Sequence, residues 1–247
     1  MPKVEWDYTS LASHYDKRAD YAGDAIDKML SLAKPDTSRP IADIGAGTGK
    51  LTKLLLARGY SVLAVEPNDA MREFGIKNTK GKKVTWSVGT GEETGLQSNA
   101  FDLVTFGSSF NVTDRAKTLI EVARMLRPRG WFACMWNHRD LDDPLQAACE
   151  RIISEAIPGY DYGTRREDQT AVIKASGLYE EPVTIEGHID NEISKEDFMI
   201  AWKSHATLQR QAGDKFNEVI EKLEKLVAKQ KKVVVPYTTR IWVARKK

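Results

Sequence analysis

The sequence predicts an α/β fold with a doubly wound, mostly parallel sheet. Three observations carry that prediction. Short apolar runs alternate with helical patterns from about residue 22 to residue 137, which is the signature of repeated βαβ units. A glycine-rich turn, "IADIGAGTGKLT" (Ile41 to Thr52), follows the first apolar run directly. A pair of strongly amphipathic helical stretches then precedes the final apolar run, "TTRIWVAR".

The elements follow in order. Ile26, Met29, Leu30 and Ala33 recur at helical spacing, and Pro35 closes that helix. "PIADIG" is a short buried strand. Leu51, Leu54 and Leu55 form one face of the next helix, with Gly59 after it. "YSVLAVEP" is the second strand, "DAMREFGIK" a helix, "KVTWSVG" the third strand and "FDLVTFGSS" the fourth. Thr113 is placed to cap a helix whose apolar face is Ala116, Leu119, Ile120, Ala123 and Leu126, ended by Pro128 and Gly130. "WFACMWN" is the fifth strand and "PVTIEGHID" the sixth. Ser194 caps a helix carrying Phe198, Ala201, Trp202, His205 and Leu208, and a second helix carries Phe216, Val219, Ile220, Leu223, Leu226 and Val227. This excursion of roughly fifty residues far exceeds the usual connection of about 4–6, so it is expected to cover the sheet's ligand edge. The expected divisions are a helical cap over 1–35, a ligand-binding core over 36–190, a helical lid inserted over 191–235 and the last core strand over 236–247.

Composition narrows the function classes. Lys plus Arg is 37 and Asp plus Glu is 35, a formal balance of +2 that gives no electrostatic case for nucleic acid or an anionic membrane. Two cysteines without a CxxC pair argue against a thiolate zinc site, and Cys134 in "WFACMW" reads as a buried thiol; no metal is expected. No secretion signal or run of about 20 apolar residues is visible, so the expected setting is the cytoplasm, as monomer or homodimer.

Ligands of such sheets lie outside the carboxyl ends of the strands, which directs attention to the glycine turn. A phosphate loop needs Gly, four residues, Gly-Lys and then Ser or Thr. Here Leu51 follows Gly49-Lys50, and Ile44 holds the place of the first glycine. A dinucleotide turn, Gly-x-Gly-x-x-Gly, would need a third glycine at Lys50. The remaining pattern is Asp43-x-Gly45-x-Gly47-x-Gly49 after a strand.

That pattern resembles the first motif of the class I S-adenosylmethionine-dependent methyltransferases of small-molecule type. The resemblance runs in order through Glu66 at the end of strand two, "PNDAM" (Pro67 to Met71), "GTGEETGL" (Gly89 to Leu96), "FDLVTFGSSFNV" (Phe101 to Val112) and "MLRPRGWF", and covers roughly residues 36–137. It implies a seven-stranded Rossmann-like methyltransferase sheet and S-adenosyl-L-methionine as cofactor. It also implies a cofactor site of Asp43, Gly45, Ala46, Gly47, Thr48, Gly49, Glu66, Pro67, Met71, Thr90, Gly91, Glu92, Phe106, Gly107 and Ser108. Glu66 would accept two hydrogen bonds from the ribose diol. Asp43 would either hold the turn or lie near the cofactor's amino group. The N-terminal "ASHYDKRADY" resembles the family more weakly and adds Tyr15 and Arg18, the latter for the cofactor carboxylate.

The acceptor side is less determined. Many small-molecule members carry a His in the segment that here reads "SSFNV"; this chain has Asn111, which cannot act as a base. His138 and His205 are the candidate bases. Ser109, Asn111, Trp136, Asn137, Arg139, Tyr160, Arg165 and Trp202 are candidate substrate contacts, a set that suits a small polar or anionic acceptor such as a sugar or nucleotide-sugar. The expected reaction is methyl transfer to an oxygen or nitrogen of such a molecule. Two other classes compete: a non-catalytic S-adenosylmethionine-binding protein, and a nucleotide-dependent oxidoreductase on a Rossmann sheet.

Overall fold

The computed structural model describes residues 18–162 and 167–247. In chain order the elements are α1 (Gly23–Ala33), β1 (Ile41–Ile44), α2 (Lys50–Ala57), β2 (Val62–Val65), α3 (Asp69–Asn78), β3 (Val84–Ser87) and β4 (Phe101–Gly107). There follow α4 (Arg115–Met125), β5 (Leu126–Arg139), α5 (Pro144–Ala156), α6 (Thr170–Ala175), β6 (Val183–Ser194), α7 (Lys195–Lys203), α8 (Ala206–Ala212), α9 (Phe216–Leu226) and β7 (Lys232–Arg245).

The strands form one seven-stranded sheet in the order β3-β2-β1-β4-β5-β7-β6. Neighbours from β3 to β5 are parallel, and β7 is antiparallel to both β5 and β6. The strand order reverses direction between β1 and β4, so the crevice at their carboxyl ends is the topological switch point.

Alternation along each strand feeds two cores. Val104 and Phe106 of β4, Phe132 and Cys134 of β5 and Trp242 of β7 pack with Leu119 and Val122 of α4 on one face. Leu103, Ala133, Met135, Ile241 and Val243 pack with Ile26 and Met29 of α1 and Leu51 and Leu55 of α2 on the other. Both cysteines are buried free thiols.

Three expectations are revised. Asp114, not Thr113, caps α4, its side chain accepting from the Lys117 amide. The α4 face is rotated accordingly: Thr118, Leu119, Val122, Ala123 and Met125 are buried, while Ile120 is 63% exposed. The helix expected through Leu208 stops at Lys203, where His205 starts α8 as its cap.

The last two strands are also longer than their apolar runs. The pairing Ser194↔Lys232 extends the β6–β7 hairpin beyond the sheet, and the expected divisions at 190/191 and 235/236 fall inside β6 and β7. Charged and polar residues on the hairpin's exposed side hid this extension. Val233 and Val235 on its other side pack against α5, α7, α8 and α9 in a third core that includes Cys149, Phe198, Trp202, Leu208 and Leu223. Because β7 runs antiparallel to β5, this helical cluster lies at the carboxyl edge of the parallel strands.

Candidate cofactor and acceptor site

The glycine turn joins β1 to α2 with Gly45, Gly47 and Gly49 at φ +64°, +57° and +83°. Side chains are disfavoured in that region, so the glycines answer first to backbone geometry. Close approach is a second reason at Gly45, where a Cβ would stand 2.5 Å from Ser109 Cβ. Ser109 is buried and its hydroxyl donates to the Ile44 carbonyl at 2.6 Å. It therefore braces the turn from below, which is a different placement from the substrate contact expected of it. Thr48 is buried, and its carbonyl accepts from Asn78 Nδ2 at 3.0 Å. Gly49 caps α2, and the Cβ that Gly47 lacks would lie 3.3 Å from Met71 Cε.

Two carboxylates stand beneath this turn with different partners. Asp43 is wholly buried; Thr52 Oγ1 donates to its Oδ2 at 2.6 Å, and Thr105 Oγ1 lies 3.2 Å from its Oδ1. Burial raises its pKa to about 7, against the pull of those hydroxyls. Asp43 therefore ties β1 to α2 and β4 through Thr52 and Thr105. Glu66 follows β2 directly and is 7% exposed. Its Oε2 accepts from the Gly47 amide and its Oε1 from the Asn68 amide, each at 2.9 Å. Burial raises this carboxyl, and the two amides oppose the shift. Each oxygen keeps a lone pair for a further donor. Asn68 caps α3 by accepting from the Met71 amide at 3.0 Å, which fixes Met71 against the turn; Pro67 is exposed.

The loop after β3 closes one side. The Thr90 hydroxyl accepts from the Glu93 amide at 3.1 Å, and the Glu92 carboxylate accepts from the Asp114 amide at 2.7 Å, tying the loop to the start of α4. Gly91 abuts Thr113, whose Cγ2 would be 2.6 Å from an added Cβ. Beyond β4, Ser108 has φ +58° and is exposed, and its hydroxyl meets the Tyr21 phenol at 2.8 Å. The Phe106 side chain is a correction: it is wholly buried between Phe110 and Phe132, with ring centroids 5.6 and 5.8 Å away, so only its backbone is left for a ligand.

At the end of β5 the side chains diverge. Trp136 Nε1 donates to Asn111 Oδ1 at 3.0 Å, so Asn111 fixes an indole that is itself buried. Asn137 Nδ2 donates to the Asp20 carbonyl at 2.8 Å. His138 lies opposite Thr238 in register and is half-buried. Arg139 carries its guanidinium to the helical cluster. It sits 4.4 Å over the Trp202 ring, donates to the Tyr162 phenol at 2.8 Å and lies 3.5 Å from the Glu150 carboxylate, which also binds Tyr162. Tyr160 stacks edge-on against Tyr162 with centroids 4.8 Å apart, and His205 lies 5.7 Å from the Trp202 ring. His205 Nδ1 accepts from the Leu208 amide at 3.2 Å, so this nitrogen acts as a helix cap.

Thus Arg139, Tyr160, Trp202 and His205 come together in one cluster. Glu66, Met71, Ser108 and the glycines gather at the switch point. Tyr15 and Arg165 lie outside the described residues. Arg18 is exposed, and its charge reaches the half-buried Tyr237, whose phenol burial raises against the pull of Arg139 and Arg18. Tyr21, Thr52, Thr105, Tyr237 and Thr239 were not expected at the site. Their partners are 9 to 217 residues away in sequence, beyond any local pattern.

The residues fit S-adenosylmethionine: the turn offers backbone where a Cβ would crowd, and Glu66 offers two carboxylate oxygens toward the same crevice.

The chain is similar to known methyltransferases. The methyltransferase domain family matches residues 42–134, from β1 to β5. An uncharacterized methyltransferase of Mycobacterium tuberculosis is 37% identical over 134 residues, covering 54% of this chain and 53% of the relative. A ubiquinone/menaquinone biosynthesis C-methyltransferase of Rubrivivax gelatinosus is 28% identical over 134 residues, covering 52% and 53%. The chain therefore spans about half the length of these curated relatives. Among solved structures, a protein of Anaeromyxobacter dehalogenans described as a candidate type II methyltransferase superposes with a TM-score of 0.63 at 18% identity, covering 92% of this chain and 97% of that one. The Haemonchus contortus phosphoethanolamine N-methyltransferase 2, solved with phosphomonomethylethanolamine and S-adenosylhomocysteine, superposes with a TM-score of 0.56 at 16% identity, covering 98% and 58%. At these identities the superpositions speak to fold. With the glycine turn, the acid beside β2 and the matched stretch in agreement, residues 42–134 are similar to the methyltransferase domain of the class I S-adenosylmethionine-dependent enzymes.

Proposed function

We propose that this protein binds S-adenosyl-L-methionine at the switch point and transfers its methyl group to an oxygen or nitrogen of a small polar metabolite held beneath α7, α8 and α9. The observation that carries the reading is Glu66: a buried carboxylate at the end of β2, fixed by the amides of Gly47 and Asn68, with lone pairs left for the ribose diol. Bound S-adenosylmethionine supplies an electrophilic methyl on its sulfonium. The chain supplies alignment and exclusion of water. Met71 and the Gly45–Gly49 turn hold the nucleoside side. The cluster of Arg139, Tyr160, Tyr162 and Trp202 shapes the acceptor side, and its polar edges suit sugar-like or anionic molecules.

A hydroxyl acceptor needs a proton acceptor, and we assign that role to His138 at the end of β5, because the Nδ1 of His205 already receives an α8 amide. No helix among the described residues is long and apolar enough to cross a membrane. The proposal includes a cytoplasmic monomer or homodimer without a nucleic-acid partner, for which the near-neutral balance of +2 is the support.

The test is S-adenosylhomocysteine formation across an acceptor panel of nucleotide-sugars, phosphorylated ethanolamines and quinone precursors. A hydroxyl or amine acceptor is expected to turn over, and His138→Ala is expected to lower turnover of a hydroxyl acceptor at least tenfold with S-adenosylhomocysteine affinity unchanged. Parent-like turnover in His138→Ala would remove His138 as base. Cofactor binding without turnover of any acceptor would favour the binding-protein alternative.

A further inference from the structure

Gln146 is the third residue of α5, a position from which a glutamine can reach back to the amide of the cap residue. Half of that arrangement is present: the Asp143 carboxylate accepts from the Gln146 backbone amide at 2.9 Å. The Gln146 side chain turns inward instead and is wholly buried, and its Oε1 accepts from Arg139 Nη1 at 3.4 Å. That contact orients the side-chain amide, because exchanging its oxygen and nitrogen would set donor against donor. Nε2 is thus left with two protons, and among the described residues it meets no acceptor.

Buried donors are nearly always paired, since an unmet one carries its full desolvation cost. Packing gives no reason for a glutamine here. Gln146 opens the buried stripe of α5 that Cys149, Ile153 and Ala156 continue, where an apolar side chain is the ordinary choice. The cluster supplies no spare carboxylate, because Glu150 is already engaged by Arg139 and Tyr162. The Arg139 charge polarises the Gln146 amide through its oxygen, which strengthens Nε2 as a donor. A group bearing only acceptor oxygens complements such a donor, and an ammonium does not.

We propose that Gln146 sets the specificity of the acceptor site, its Nε2 donating to an oxyanion of the acceptor, either a carboxylate or a phosphate. The role in turnover rests on the methyl-transfer reading; the anion contact itself does not.

The first test follows the Gln146 side-chain amide by heteronuclear NMR, assigned by its loss in Gln146→Met, while the whole protein is titrated with succinate, inorganic phosphate or ethanolamine. A saturable shift is expected with at least one anion and none with ethanolamine, and the two anion arms tell carboxylate from phosphate. Gln146→Glu keeps the length of the side chain and an oxygen for Arg139 but presents no donor. Anion affinity, read from the backbone amides of α5, is expected to fall at least tenfold in this variant and in Gln146→Met, which serves if Gln146→Glu does not fold. Gln146→Met also removes an unmet donor, so it is expected to melt no lower than the parent. A glutamine with a merely structural role would lower the melting temperature and leave anion affinity unchanged. In turnover, the kcat/KM of an acidic acceptor relative to its own amide is expected to fall at least tenfold in Gln146→Met, with S-adenosylhomocysteine affinity unchanged. No saturable shift with either anion, an equal response to ethanolamine, parent-like anion affinity in the folded variants, a lower melting temperature in Gln146→Met or an unchanged acid-to-amide preference would each overturn the assignment. Anion binding at Gln146 without turnover of any acceptor would sink the methyl-transfer reading and leave the contact standing.

Discussion

Asp43 and Glu66 show how neighbours give two acids different work. Glu66 meets two backbone amides, which favour its charged form and aim it at the crevice. Asp43 meets the hydroxyls of Thr52 and Thr105 and the Thr52 amide, and its burial outweighs all three. The single proton of Thr105 has two acceptors at 3.2 Å, the Ala42 carbonyl and Asp43 Oδ1. Both are satisfied when Thr105 donates to the carbonyl and a protonated Asp43 donates to Thr105. The folded carboxyl, raised from 3.8 to about 7, then keeps a proton that the unfolded chain releases. This contribution to stability is fully present below the unfolded value and is lost as pH rises toward 7, by about 4 kcal/mol across that interval. Asn at this position can donate to Thr105 permanently. Asp43→Asn is therefore expected to flatten the fall in urea-unfolding stability between about pH 4 and pH 7, and the same slope in parent and variant would show that Asp43 is ionised throughout. The sequence marked Asp43 as part of the turn but left its partner open, because Thr52 and Thr105 are made neighbours only by the α2 crossover and the β1–β4 pairing.

Among the elements, β5 organises the proposed acceptor side. Its last residues alternate, so Trp136 and His138 face one way while Asn137 and Arg139 face the other. Asn137 secures the N-terminal segment, and Arg139 secures the helical cluster by joining β5 to α5 and α7 through Glu150 and Trp202. Arg139 is only 12% exposed in its side chain, so its truncation uncovers the Trp202 face and leaves the Glu150 carboxylate with the Tyr162 hydroxyl but no cation. Arg139→Ala is expected to cost about 2–3 kcal/mol and to quicken hydrogen exchange in α5 and α7 while β1, β2 and β4 stay protected. Uniform loosening of the whole chain would contradict this role. Periodicity located the buried strands well, since β1 and β4 are apolar on both faces. It placed α4 with its apolar face rotated and extended the Trp202 helix too far. In α4 the buried Thr118 reads as polar and the exposed Ile120 reads as apolar. After Lys203 the chain bends at His205, whose capping bond to Leu208 has no signature in the apolar pattern.

The whole molecule couples a switch-point crevice to a helical cluster through the long β6–β7 hairpin. The parallel half and its glycine turn were legible because turn geometry and buried strands write local patterns: three glycines at positive φ, then an acid at the end of the next strand. The acceptor half was legible only as a list of residue types, since Arg139, Tyr162 and Trp202 meet through tertiary packing. The central claim concerns the crevice as a nucleoside site, and calorimetric titration of the parent and Glu66→Ala with S-adenosylhomocysteine, with NAD as the control ligand, tests it most directly. The parent is expected to bind S-adenosylhomocysteine one to one and not NAD, and the folded variant to bind it more weakly by about 1–3 kcal/mol. A folded parent that ignores S-adenosylhomocysteine, or a variant that binds it as tightly as the parent, would contradict the account.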